Sequence, residues 1–290
     1  MSAGRPHKCT VIFSGEVLAF QIKQISEHGT SNPIIARLSV QTSQLLNFSK
    51  LKKEQKDRVL GLYNSEVQPR LLECDVISQQ ISSEILEVAN SLTEKGFVTQ
   101  SQGRVIEVPN LLRLEQRLEH FLYCAKSALR DLSKVFNCFF ETDFNEARYD
   151  KILKWATKEF GEDSDLAKLI KQDHDLWIKQ IVSMRNAVEH PGGHSGYLHI
   201  HNFVLVTDQM TGEHKLDEPC WQRNEEPKTS IAQDLLVFVS NFLELCEDLL
   251  IINLKMSGLP EYLQVVEIPE DKRDKDCAIR LQITMAQGKI

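Results

Sequence analysis

Residues 184–193 read MRNAVEHPGG and set Arg185, Asn186 and His190 within six residues, directly ahead of Pro191, Gly192 and Gly193. An arginine grips a phosphate through two parallel hydrogen bonds and stays charged at any useful pH. A histidine titrates near neutrality, so it takes or gives a proton. At a helix C-terminus its cationic form is favoured, which poises it as an acid. Together the two side chains suit attack of an RNA 2′-hydroxyl on its own phosphodiester without a metal. Proton transfer by one positioned group contributes about 10²–10⁴-fold to such a step. A five-residue step turns about 500° on a helix, leaving Arg185 and His190 roughly 140° apart while the helix stays regular. A cleft between two helices or two subunits is then needed to bring them onto one substrate. The plain structural alternative pairs Arg185 with Glu189 at i,i+4 and sets His190 on the last carbonyls. The spacing alone discriminates little, because Arg113 and His120 form a similar pair in mid-helix.

Other clusters carry weaker chemistry. His190, His194, His199 and His201 lie close in sequence, and His199 and His201 in YLHIHNF project from one strand face, a zinc-ligand geometry. No carboxylate or cysteine joins them at a recognisable spacing, and a solvent-facing strand explains them equally. Lys126, Arg130 and Lys134 stand at i, i+4 and i+8. That stripe suits an RNA backbone or a solvated helix face, with Asp131 breaking the charge nearby. Trp155, Trp177 and Trp221 read as core or interface anchors. Asp173, His174 and Asp175 are adjacent helix residues that point in different directions and gain no role.

The elements that must position these groups are mostly helical. EVQPRLLECDVISQQISSEILEVANSL (66–92) repeats apolar residues at spacings of three to five. A long helix is expected over 111–140 with Asn110 as its cap, and a shorter one over 145–160 stopped by Gly161. Asp163 or Ser164 caps a helix over 164–190, with Leu166, Ile170, Trp177, Ile181, Met184 and Val188 facing a core. Pro191 stops it, and Gly192 suits a left-handed exit. GYLHIHNFVLVT (196–207) is strand-like, DQMTGEHK turns, and 218–228 reads as a loop. A last core helix covers 229–256, capped by Thr229 or Ser230, and YLQVVEI and AIRLQITM are C-terminal strands. VIFSGEVLAFQI (11–22) fits a short helix or a strand equally.

The expected fold is therefore mainly α, a four-helix bundle of 111–140, 145–160, 164–190 and 229–256 with extra N-terminal helices and a few β-strands in the C-terminal half. The expected domains are a mostly helical region over 1–104, a bundle over 105–257 with a strand-rich insertion near 196–228, and a β-hairpin segment over 258–290. A formal charge of −7 argues against a dedicated duplex-DNA binder but leaves room for one phosphate site. The 7 cysteines are odd in number and form no CxxC, which argues against a disulfide framework or zinc knuckle and for a reducing compartment. MSAGRPHKC is unlike a signal peptide, and the apolar run 235–254 is broken by Asn241, Glu244, Glu247 and Asp248. A cytoplasmic protein without a membrane span is expected.

RNAVEHP resembles the motif of the HEPN superfamily (higher eukaryote and prokaryote nucleotide-binding domains). In that family an Arg, often followed by a polar residue, precedes a His by four to six residues near the end of a late helix in a bundle. HFLYCAKSALRDLSKVF also resembles an earlier helix of bacterial members. The resemblance covers roughly residues 105–256. It implies a metal-independent endoribonuclease without a cofactor, in which Arg185 binds or polarises the phosphate, His190 acts as acid or base, and Asn186 orients the group. It further implies RNA as partner, a homodimer that joins two motifs in one cleft, and a role in bacterial defence or beside an antitoxin or regulatory protein. Other HEPN domains are inactive RNA-binding or assembly modules, and this is the alternative the resemblance carries.

Overall fold

The computed structural model describes residues 9–14, 17–22, 28–100 and 105–286. The chain is mainly α with several small antiparallel sheets. It divides into two compact units. One comprises residues 1–68, 135–142 and 246–290, and the other 69–134 and 143–245. Among the described residues, no helix is long and apolar enough to cross a membrane.

The second unit carries the motif. Helix Gln68–Lys95 gives it residues 69–95, which run antiparallel to helix Leu114–Ser133. Arg70 reaches Asp131 at 2.8 Å near one end, and Arg117 reaches Glu84 at 2.9 Å near the other. Leu118, Phe121, Leu122, Ala125, Ala128, Leu129 and Leu132 form the buried stripe of the 114–133 helix. Its start differs from the sequence expectation. Asn110 is not the cap; the helix begins at Leu114 behind Arg113, which sits in the left-handed region at φ 55°. The cause is tertiary. Asn202 clamps Leu111, accepting its N–H at 3.0 Å and donating to its carbonyl at 2.9 Å, so 110–112 stay in a turn. The expected 111–140 helix also breaks at Lys134 into Leu114–Ser133 and Val135–Phe139, where Ser133 Oγ donates to the Arg130 carbonyl at 2.6 Å. That hydroxyl competes with the helical ladder.

Helix Tyr149–Phe160 ends at Gly161, whose φ of 92° favours glycine. Ser164 caps Asp165–Asp173 by accepting from Ala167 N–H at 3.3 Å. The helix then widens to a π-helical stretch, His174–Ile178, before Lys179–Glu189. Trp177 is buried there, its Nε1 donating to Asp173 Oδ1 at 2.9 Å and its ring 5.8 Å from Phe242. His190 closes the helix, and Gly192 takes the left-handed exit at φ 76°.

The strand-rich segment forms two small sheets. Leu198–His201 pairs with Cys220–Arg223, which pairs with Thr229–Ser230, and Val204–Thr207 pairs with His214–Asp217. The expected loop at 218–228 thus contains a strand. Its signal was a single residue, Trp221, which is fully buried, donates to Asp234 at 2.6 Å and packs 6.3 Å from Phe238. Helix Ile231–Ser257 follows, with Ser230 Oγ accepting from Gln233 N–H at 3.4 Å.

In the first unit, Cys9–Ser14 and Val17–Ile22 are paired strands rather than a helix. Residues 33–47 are helical, with a π-helical centre at Ala36–Gln41. The expected C-terminal strands are Leu263–Glu267 and Leu281–Met285, paired antiparallel. Glu247 is buried, 2.6 Å from Gln41 Nε2 and 2.8 Å from Arg280 Nη2, with Arg37 at 3.7 Å. Gln41 Oε1 accepts from Arg280 and Leu281 N–H at 2.7 Å each, fastening the last strand. Burial pushes the Glu247 carboxyl up, against Gln41 and the two arginines.

Candidate functional site

The 179–189 helix lies along the 114–133 helix, and the two supply one site. Arg185 stands on the flank of the buried Ile181–Met184 stripe, its side chain 15% exposed. Its Nη2 meets Glu189 Oε1 at 3.0 Å, and its guanidinium lies 5.6 Å from the centre of the Tyr123 ring, within cation–π range. Lys126 comes from the other helix. Its Nζ donates to Glu189 Oε2 at 2.9 Å and to Asn186 Oδ1 at 2.8 Å. The Lys126 hydrogen bond holds the Glu189 carboxyl below its usual range; the Lys126 charge, Arg185 and His190 act the same way, and partial burial opposes them.

These groups line a cavity of 390 Å³ whose wall also includes Arg130, Glu146 and Arg148. Arg185 Nε is buried there without a hydrogen-bond partner. Arg117 Nη2 and Arg280 Nε are in the same state elsewhere in the chain, so this nitrogen does not by itself mark a ligand. Arg148 holds Asp150 through two bonds of 2.9 Å, and that hydrogen bonding lowers the Asp150 carboxyl to about 2. Arg130 turns to Asp131, which is buried and also takes Arg70 at 2.8 Å and Lys134 at 3.0 Å. Asp131 therefore does not interrupt a surface stripe; it ties the stripe down from beneath.

Arg185 and Asn186 are thus together, with Lys126, Tyr123 and Glu189 as partners that the motif alone did not name. His190 is not with them. It is exposed at the helix end, outside the wall of the Arg185 cavity, and its backbone N–H bonds the Asn186 carbonyl at 2.9 Å. Both halves of the plain alternative bear on this site: the Arg185–Glu189 pair is present, while His190 serves the helix end through its backbone.

Among the described residues, no group of three or more His, Cys, Asp or Glu is placed to hold a metal. His199 stacks on Tyr197 at 6.3 Å, and His201 lies beside it on the strand, its pKa lowered by burial and then by Lys228 and His199. The pair Arg113 and His120 is not in mid-helix, because Arg113 stands ahead of the helix start at Leu114. His120 Nε2 faces Glu73 at 3.2 Å and Cys124 Sγ at 3.8 Å. Both contacts use one ring nitrogen, so the imidazole does not relay between acid and thiol, and burial pushes the Cys124 thiol up. The chain matches no family model, no curated protein and no solved structure.

Proposed function

We propose that the protein is a HEPN-type, metal-independent endoribonuclease whose Arg185 cavity receives the phosphodiester of RNA. The observation that carries this reading is Arg185 beside Lys126 in the wall of one cavity, both held there by Glu189. A phosphate that displaces Glu189 gains two cationic partners. In the reaction, the 2′-oxygen bonds to phosphorus as its proton leaves to a base. The bond from phosphorus to the 5′-oxygen then breaks, and that oxygen takes a proton from an acid. Arg185 and Lys126 neutralise the charge on the non-bridging oxygens, and Asn186 orients Lys126. His190 supplies the proton transfer. Because it lies outside the cavity wall, this role requires a second copy's site or a substrate that spans the helix end.

A second reading has its own support. Because Arg185 is engaged by Glu189 and Tyr123, and His190 lies outside the cavity wall, the site also suits a non-catalytic module that binds RNA. Arg185→Ala separates the cavity from the rest of the surface. It should lose both RNA binding and cleavage, while retained binding would remove the cavity from the account. His190→Ala should lose cleavage alone; if the parent binds RNA and never cleaves it, the module is the better description.

A further inference from the structure

The 114–133 helix lines the Arg185 cavity with Tyr123, Lys126 and Arg130, at i, i+3 and i+7, together with Ser127. An aromatic ring interleaved with cations is the composition that single-stranded nucleic acid uses, a ring for a base and charges for the backbone. We infer that this face is a single-stranded RNA subsite, in which Arg130 holds the phosphate next to the one at Arg185 and Lys126, and Tyr123, one turn to the other side of Lys126, stacks on a neighbouring base. The inference rests on the proposal that the cavity takes an RNA phosphate.

The geometry supports it in three ways. Four helical residues rise about 6 Å, so Lys126 and Arg130 are spaced like neighbouring phosphates along a strand. Tyr123 is 47% exposed although it lines a cavity and carries Arg185 near its ring. A half-open ring there offers area to a base. Arg130 is 45% exposed, and its Nε and Nη2 bonds to Asp131, at 3.1 and 3.3 Å, are the ones that a phosphate takes over. If it swings to a phosphate, buried Asp131 keeps Arg70 at 2.8 Å and Lys134 at 3.0 Å and is never left unpaired. A duplex fits less well, since its bases are not free to reach Tyr123.

The test is binding of a fluorescein-labelled twelve-nucleotide 2′-O-methyl oligouridylate, which lacks the attacking hydroxyl, measured by anisotropy across a salt series on the full chain. Arg130→Gln should weaken binding about fivefold and lower the slope of log affinity against log salt by about 0.7, one single-strand phosphate contact. Tyr123→Leu should weaken binding about tenfold with the slope unchanged, the signature of lost stacking. Urea unfolding of each variant, close to the parent's, establishes that the fold is kept. If the parent binds and Arg185→Ala abolishes binding, but Arg130→Gln and Tyr123→Leu leave it intact, the subsite is wrong and the cavity reading stands. If the parent does not bind, both fall. Equal displacement by polyglutamate, with Tyr123→Leu indifferent, would identify an acidic protein partner and overturn the subsite.

Discussion

On the proposed reading a substrate phosphate displaces Glu189, so Glu189→Gln should strengthen RNA binding while weakening the fold. The carboxylate makes two ion pairs, 2.9 Å to Lys126 and 3.0 Å to Arg185, with side-chain exposures of 33%, 31% and 15% for the three groups. Pairs at such partly open sites contribute about 0.2–1 kcal/mol each, and removing both costs about 1 kcal/mol in all. An entering phosphate has to displace the same interactions. Taking the competing charge away returns about that energy to the ligand, which is about a fivefold gain in affinity. The gain should shrink as salt rises, since screening weakens the competitor and the ligand alike. Urea unfolding reads the first effect, and anisotropy with the non-cleavable oligouridylate reads the second. Lower stability together with unchanged or weaker RNA binding would show that Glu189 and the RNA do not compete, and that Arg185 holds no phosphate.

Three further outcomes follow from other parts of the molecule. Glu247→Ala should destabilise the protein by about 3 kcal/mol in urea unfolding, because Arg37 and Arg280 lose their buried partner and Gln41 loses an acceptor; a change near zero would mean that both arginines reach water freely. Asp150 is held at about 2 by its hydrogen bonds with Arg148. Its contribution is full above its unfolded value of about 3.9 and is lost as pH falls through the folded value, so Asp150→Asn should flatten the acid side of a stability-against-pH curve below about pH 4. An identical acid limb in parent and variant would contradict the pairing. At Gly196, φ is +75° and an added Cβ would stand 1.9 Å from Asn224 Oδ1, which accepts from Tyr197 N–H at 2.9 Å. Gly196→Ala should cost about 2 kcal/mol through backbone strain and the lost bond, read as a lowered unfolding midpoint.

Much of the helical layout was legible because it rests on local chemistry. Ser164 and Ser230 cap where serines ahead of apolar periodicity should, and Gly161 and Gly192 stop helices through their positive φ. What escaped the sequence was set by distant partners. Asn202 overrode Asn110 as the determinant of a helix start, and Trp221 drew a polar run into a strand. Nothing local announced the π-helical stretch at His174–Ile178. The site divides the same way. The Arg185–Glu189 pair follows from i,i+4 spacing, whereas Lys126 and Tyr123 join it only because two helices pack together. Asp131 looked like a break in a basic stripe, since a sequence cannot show that its carboxylate points inward among three cations. The separation of His190 from Arg185 was legible in the five-residue step, and His190 indeed lies outside the cavity wall.

Cleavage of RNA by the purified protein, run beside Arg185→Ala and His190→Ala with chelator present throughout, tests the central claim most directly. The account predicts that the parent alone cleaves and leaves 2′,3′-cyclic phosphate and 5′-hydroxyl ends, while His190→Ala still binds the non-cleavable oligouridylate and Arg185→Ala does not. Cleavage that persists in both variants, or that leaves 5′-phosphate ends, would contradict it.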